Sequence, residues 1–92
     1  MHSLDAALTE QLRVAAREVL AKRPGTALEL SGIRRRIEHD KIVDFAYSDR
    51  ELRGAVAVLI DMEQVKIANG ALGKSEYFSA TAAGILAFER GQ

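Results

Sequence analysis

The sequence predicts one mainly α-helical domain that carries a small β-hairpin. Three observations lead there. Apolar residues recur at three- and four-residue steps over the N-terminal stretch from Leu4 to Leu20. Ser48-Asp49-Arg50-Glu51 opens a second run with the same period. At Val65 the period shortens to two, and a turn pair and two aromatic residues follow. The chain has 92 residues, 48% hydrophobic and 28% charged, which suits a single globular domain over residues 1–92 and argues against a disordered chain.

The first helix follows from the stripe Leu4, Leu8, Leu12, Ala15, Val19 and Leu20. Asp5 and Glu10 stand near its start and Lys22 and Arg23 near its end, the order that suits a helix dipole. Pro24-Gly25 then stops it. Leu28 and Leu30 alternate like a short strand, predicting an extended piece over 27–30 and a short helix over about 32–39 with Ile33 and Ile37 buried. Thr26-Ala27-Leu28-Glu29 also fits a capping box, and Ser31 is a second candidate cap. Residues 40–47 read as a connection anchored by Ile42, Val43 and Phe45.

After Ser48, the stripe Leu52, Val56 (or Ala55), Leu59 and Met62 predicts a third helix, with Val58 and Ile60 widening its apolar side. Val65 and Ile67 alternate with Gln64, Lys66 and Ala68 as in a strand, and Asn69-Gly70 marks a turn. Tyr77 and Phe78 suggest the returning strand, joined through Gly70-Ala71-Leu72-Gly73. Thr81 caps a last helix over 82–90, whose large apolar residues are Ile85, Leu86 and Phe88.

The resulting order, helix, short strand, helix, helix, strand, strand, helix, resembles the winged helix-turn-helix domain of bacterial transcriptional regulators. Leu59 through Ile67 is similar to that family's junction between recognition helix and wing, and Tyr77-Phe78-Ser79-Ala80-Thr81-Ala82-Ala83-Gly84 is similar to its aromatic strand and Thr-x-x-Gly helix start. The resemblance spans roughly residues 8–89. Gln64 stands where the family usually has a glycine, often left-handed, and Ala80 where it usually has leucine. The family resemblance implies a third helix that enters the DNA major groove, a wing beside it, and dimerisation through the first and last helices.

Thirteen basic and thirteen acidic residues leave the chain formally neutral, so net charge points to no polyanion, membrane or acidic ligand. The distribution says more. Residues 22–41 carry six basic and three acidic side chains, residues 42–64 two and five. Arg34-Arg35-Arg36 is the densest positive feature. Three adjacent residues fan round a helix, and with Ile33 and Ile37 inward, Arg34 and Arg35 point outward most freely. In the winged-helix reading Arg50 and Arg53 approach the major groove, Arg34, Arg35 and Lys41 hold phosphates, and Lys66 and Lys74 serve the wing. Against it, Asp49 and Glu51 flank Arg50, and the Arg triplet also suits a solvated face paired with Glu29, Glu38 or Asp40. Gly54, Ala57 and Asp61, with Val58 beside them, are poor readers of base edges, and small residues on a helix also permit close approach of another helix.

Other chemistry finds little support. Gly73-Lys74-Ser75 echoes a phosphate-binding loop, but the required first glycine falls on Ala68 and a strand follows instead of a helix. Cysteine is absent, which excludes disulfides, thiol catalysis and Cys-ligated metals. His2 and His39 are the only histidines, and Glu38, His39, Asp40 and Asp44 offer no ligand pair spaced along one helix face. No cofactor, metal or enzymatic activity is expected. The longest apolar run, residues 55–60, is far short of the roughly 18 a membrane span needs, and the charged N-terminal stretch is unlike a signal peptide. The last helix is apolar nearly all round, which predicts a homodimer using Leu4, Leu8, Ile85 and Phe88. The sequence therefore reads as a small cytoplasmic, non-enzymatic double-stranded-DNA-binding protein, plausibly a dimeric regulator of transcription; the alternative is a winged-helix protein-interaction module that does not bind DNA.

Overall fold

Asp5 opens the first helix, α1 (Ala6–Ala21), its carboxylate accepting from the Leu8 amide at 2.8 Å. The structure, a computed structural model, describes residues 5–69 and 76–91. The buried side of α1 carries Leu12, Ala15, Ala16, Val19 and Leu20, as the apolar stripe requires. Gly25 turns the chain out of α1 with φ +80°, a left-handed conformation that favours glycine. Leu28 then exchanges two backbone hydrogen bonds with Phe78, at 2.9 and 2.8 Å.

The extended piece is this single bridge rather than a strand over 27–30. The Glu29 carbonyl already accepts from the Ile33 amide at 3.0 Å, so α2 (Leu30–His39) starts two residues before the expected position. Glu29 is its N-cap and contributes no side-chain capping bond; neither Thr26 nor Ser31 caps it. Ile33 and Ile37 are fully buried. Lys41 ends α2 in the left-handed region at φ +53°, while the Ile42 amide donates to the Ile37 carbonyl and the Lys41 amide to Glu38. That geometry turns Ile42 back onto the core, followed by Val43, Phe45 and buried Tyr47.

The expected capping box forms at α3 (Asp49–Asp61). Ser48 Oγ accepts from the Glu51 amide at 3.1 Å, and Glu51 Oε1 accepts from the Ser48 amide at 2.8 Å. Leu52, Ala55, Val56 and Leu59 are buried. Val58 and Met62, expected on the apolar side, are each 43% exposed. The α1 and hairpin contacts cover one face of α3, and the outward turn of the helix leaves these two beyond it.

A second left-handed helix end follows. Glu63, at φ +61°, donates to Ile60, and Gln64 donates to Leu59, both at 2.9 Å. The left-handed position at the junction is thus Glu63, and Gln64 leads directly into β1 (Val65–Asn69). Antiparallel β2 (Glu76–Ala80) pairs Val65 with Ala80 and Ile67 with Phe78. Phe78 is buried because β2 lies between β1 and the Leu28 bridge; Ile67, on the edge strand, is 46% exposed. Gly70-Ala71-Leu72-Gly73, Lys74 and Leu4 lie outside the described residues.

Thr81 closes the core. Its hydroxyl accepts from the Gly84 amide at 3.1 Å and donates to the Glu63 carbonyl at 2.6 Å, while its amide donates to the Gln64 carbonyl at 3.0 Å. One residue therefore caps α4 (Ala82–Glu89) and fastens it to the end of α3.

Candidate nucleic-acid interface

Helices α2 and α3 and the hairpin place most of the sequence-predicted cations on exposed surface. They differ in what already holds them. Arg34 is engaged on every side: Nε donates to Glu38 at 2.9 Å, Nη1 to Asp49 at 2.6 Å and Nη2 to the Tyr47 carbonyl at 3.0 Å. Its guanidinium carbon also lies 4.7 Å from the centre of the Tyr47 ring. The hydrogen bonds to Asp49 and Glu38 raise its pKa further above the usual arginine value. Arg34 thus ties α2 to the start of α3, with 33% of its side chain exposed in the wall of an open groove of about 650 Å³.

That tie changes the electrostatics of α3. Asp49 faces Arg34, and Glu51 is taken up in the capping box, so both carboxylates flanking Arg50 have partners within the fold. Arg50 itself is exposed and carries no hydrogen bond or ion pair among the described residues. Arg53 Nη1, one turn later, lies 2.9 Å from Glu76 Oε1 on the hairpin. Beyond it the outward face is Gly54, Ala57, Val58 and Asp61, all exposed.

Arg35, Lys41 and Lys66 are likewise exposed without a partner among the described residues. Arg35 and Arg36 line a second open groove, of about 210 Å³, with Leu28, Gly32 and His39. The expectation that Arg34 and Arg35 point outward most freely holds for Arg35 only: Arg36 is exposed beside it, whereas Arg34 is held half-buried against Tyr47 and Asp49. Of the acids considered as partners for the triplet, only Glu38 binds one of its arginines. Glu29 hydrogen-bonds Tyr77, raising that phenol's pKa, and Asp40 Oδ1 lies 3.0 Å from His39 Nδ1, which lowers its own.

One buried cation is not singled out by the sequence. Arg17, 3% exposed on α1, donates through Nη1 to Gln64 Oε1 at 3.1 Å, and its Nε has no partner among the described residues. Burial, then the nearby Arg13 charge, lowers its pKa from the usual arginine value. Among the described residues no group of three His, Asp or Glu side chains could hold a metal ion, and no helix is long and apolar enough to cross a membrane.

On α1 and α4, Leu8, Ile85 and Phe88 are half-buried, and Leu86 is 47% exposed.

The four helices and antiparallel hairpin, with α3 leading directly into β1, make a winged helix. The sequence matches no protein-family model and no curated protein. Solved structures match in fold. A transcriptional regulator from Clostridium thermocellum superposes with a TM-score of 0.75 at 14% identity, over 98% of this chain and 84% of its own. A double mutant of Lactococcus lactis ZitR in its apo form gives 0.70 at 14% identity, over 94% of this chain and 58% of its own. A second ZitR mutant gives 0.65 at 14% identity, over 99% and 55%. This chain therefore spans little more than half the length of the ZitR structures.

Proposed function

We propose that the chain is a small non-enzymatic DNA-binding protein that regulates transcription in the cytoplasm as a homodimer. The observation that carries this reading is the state of Arg50. It stands at the first turn of α3 with no partner among the described residues, while its two acidic neighbours are bound elsewhere. A neutral chain can thus present local positive charge where a helix of this fold meets a groove. Arg50 and Arg53 would face base edges, and Arg35, Lys41 and the exposed edge of Arg34 would lie along phosphates. Lys66, with Lys74 beyond the described residues, would serve the wing. The likeness to regulators lends support at the level of the fold.

Fluorescence anisotropy of a random duplex of about two helical turns tests the reading. Affinity in the micromolar range that falls steeply with salt is expected. Arg35→Ala should weaken every duplex alike and lessen the salt slope, whereas Arg50→Ala should weaken some sequences more than others. No binding at low salt would refute the proposal.

A second reading rests on a specific surface. Gly54, Ala57, Val58 and Met62 form a small, partly apolar strip along exposed α3, suited to a protein partner better than to base edges. Failure to bind any duplex would favour it.

A further inference from the structure

We propose that Glu76 is a built-in counter-ion that Arg53 must leave before it contacts a duplex, so that this carboxylate restrains indiscriminate binding by α3. The proposal rests on the DNA-binding reading above and adds a specificity element to the same surface.

The geometry carries it. Arg53 Nη1 and Glu76 Oε1 are 2.9 Å apart, joining α3 to the first residue of β2. Their side chains are 61% and 49% exposed, so neither is needed to fill the core. The contrast with Arg34 is direct: that guanidinium is held by two carboxylates, a carbonyl and a ring, whereas Arg53 has one acceptor among the described residues. One exposed contact can be exchanged; four cannot be exchanged together. Arg50, three residues earlier on the same outward face, has no counterpart to Glu76 among the described residues.

A carboxylate and a phosphate present similar oxygen acceptors, so the Nη1 hydrogen that Glu76 holds cannot serve both, and the pair keeps the guanidinium turned to the hairpin. Exchanging Glu76 for a lone phosphate gains little. A bidentate contact to guanine O6 and N7 gains more, and outweighs the lost pair. The Glu76 contact therefore lowers affinity for every duplex and leaves sites with a correctly placed guanine ahead. Exposed pairs of this kind are worth about a two- to fivefold change in an equilibrium constant.

The test is duplex binding by anisotropy at two salt concentrations, using the random duplex with the full chain. Glu76→Gln should bind about two- to fivefold more tightly than the native chain, with a salt slope steeper by about one phosphate contact. Glu89→Gln, which removes one negative charge on α4, should not. In an Arg53→Gln background the gain from Glu76→Gln should vanish. A gain that survives there, or that Glu89→Gln matches, would show plain repulsion of DNA and overturn the proposal. Native binding with no change in Glu76→Gln overturns it too while leaving the functional reading intact. Binding by Glu76→Gln alone would support the counter-ion, and binding by neither would overturn both.

Discussion

Gly84 on α4 lies directly against the carbonyl oxygen of Gln64, and a Cβ built on it would overlap that oxygen. The same carbonyl accepts from the Thr81 amide at 3.0 Å, so it cannot move away without losing a bond. The Thr-x-x-Gly start of α4 is thus a two-point attachment to the end of α3, with threonine supplying hydrogen bonds and glycine supplying room.

Gly84→Ala should therefore destabilise the fold by about 1–3 kcal/mol despite the better helix propensity of alanine. Gly54→Ala is the reverse case. That helical glycine has nothing among the described residues within 4 Å of an added Cβ, and the substitution should stabilise by about 0.5–1 kcal/mol. Urea denaturation of the two variants gives the comparison; equal effects would refute the close approach.

Glu63 holds a left-handed conformation at φ +61° that side-chain-bearing residues adopt at a cost. Glu63→Gly should raise the urea midpoint, by about 0.5–1 kcal/mol in stability, once the greater freedom of glycine in the unfolded chain is counted. Gln64→Gly should show no such gain, because Gln64 is not the left-handed residue.

Burial raises the pKa of the Tyr47 phenol, and its hydroxyl has no partner among the described residues. The folded state therefore keeps this proton to higher pH than the unfolded chain, in which tyrosine ionises near about 10. The associated stability is complete below that pH and is lost as pH rises through the folded value. Thermal melts between neutrality and alkaline pH should fall more steeply for the native chain than for Tyr47→Phe. A parallel decline would mean that Tyr47 stays neutral in neither state preferentially.

The homodimer reading uses Leu8, Ile85 and Phe88; Leu86, outside that set, is the most exposed large apolar side chain of α4, and we propose that a second copy covers it too. Leu86→Asp should halve the sedimenting mass while leaving the circular-dichroism spectrum unchanged. Native protein that already sediments as a monomer would remove the dimer from the proposed function.

Much of the fold was legible in local pattern. Ser48 and Glu51 state their capping box in four residues, Thr81 its cap in four, and the stripe of α1 its buried face, because each depends on neighbours a few positions apart. The change of period at Val65 marked the hairpin for the same reason. The start of α2 was not legible to the residue, since it depends on Leu28 meeting Phe78, fifty positions away. Nor was the exposure of Val58, Met62 and Ile67, because a helix or strand does not carry in its own sequence the extent of the surface that will cover it.

The sequence by itself determined the order of the four helices and the hairpin, the cation inventory and the absence of cysteine chemistry. Only the tertiary structure decided which charges are available. Arg34, Arg35, Arg50 and Arg53 look alike along the chain, yet folding gives the first Asp49, Glu38 and Tyr47, gives the last Glu76, and leaves the middle two without partners among the described residues. Pairing needs oxygen and nitrogen within about 3 Å, and for Asp49 and Glu76 that distance is set by how α2, α3 and the hairpin pack.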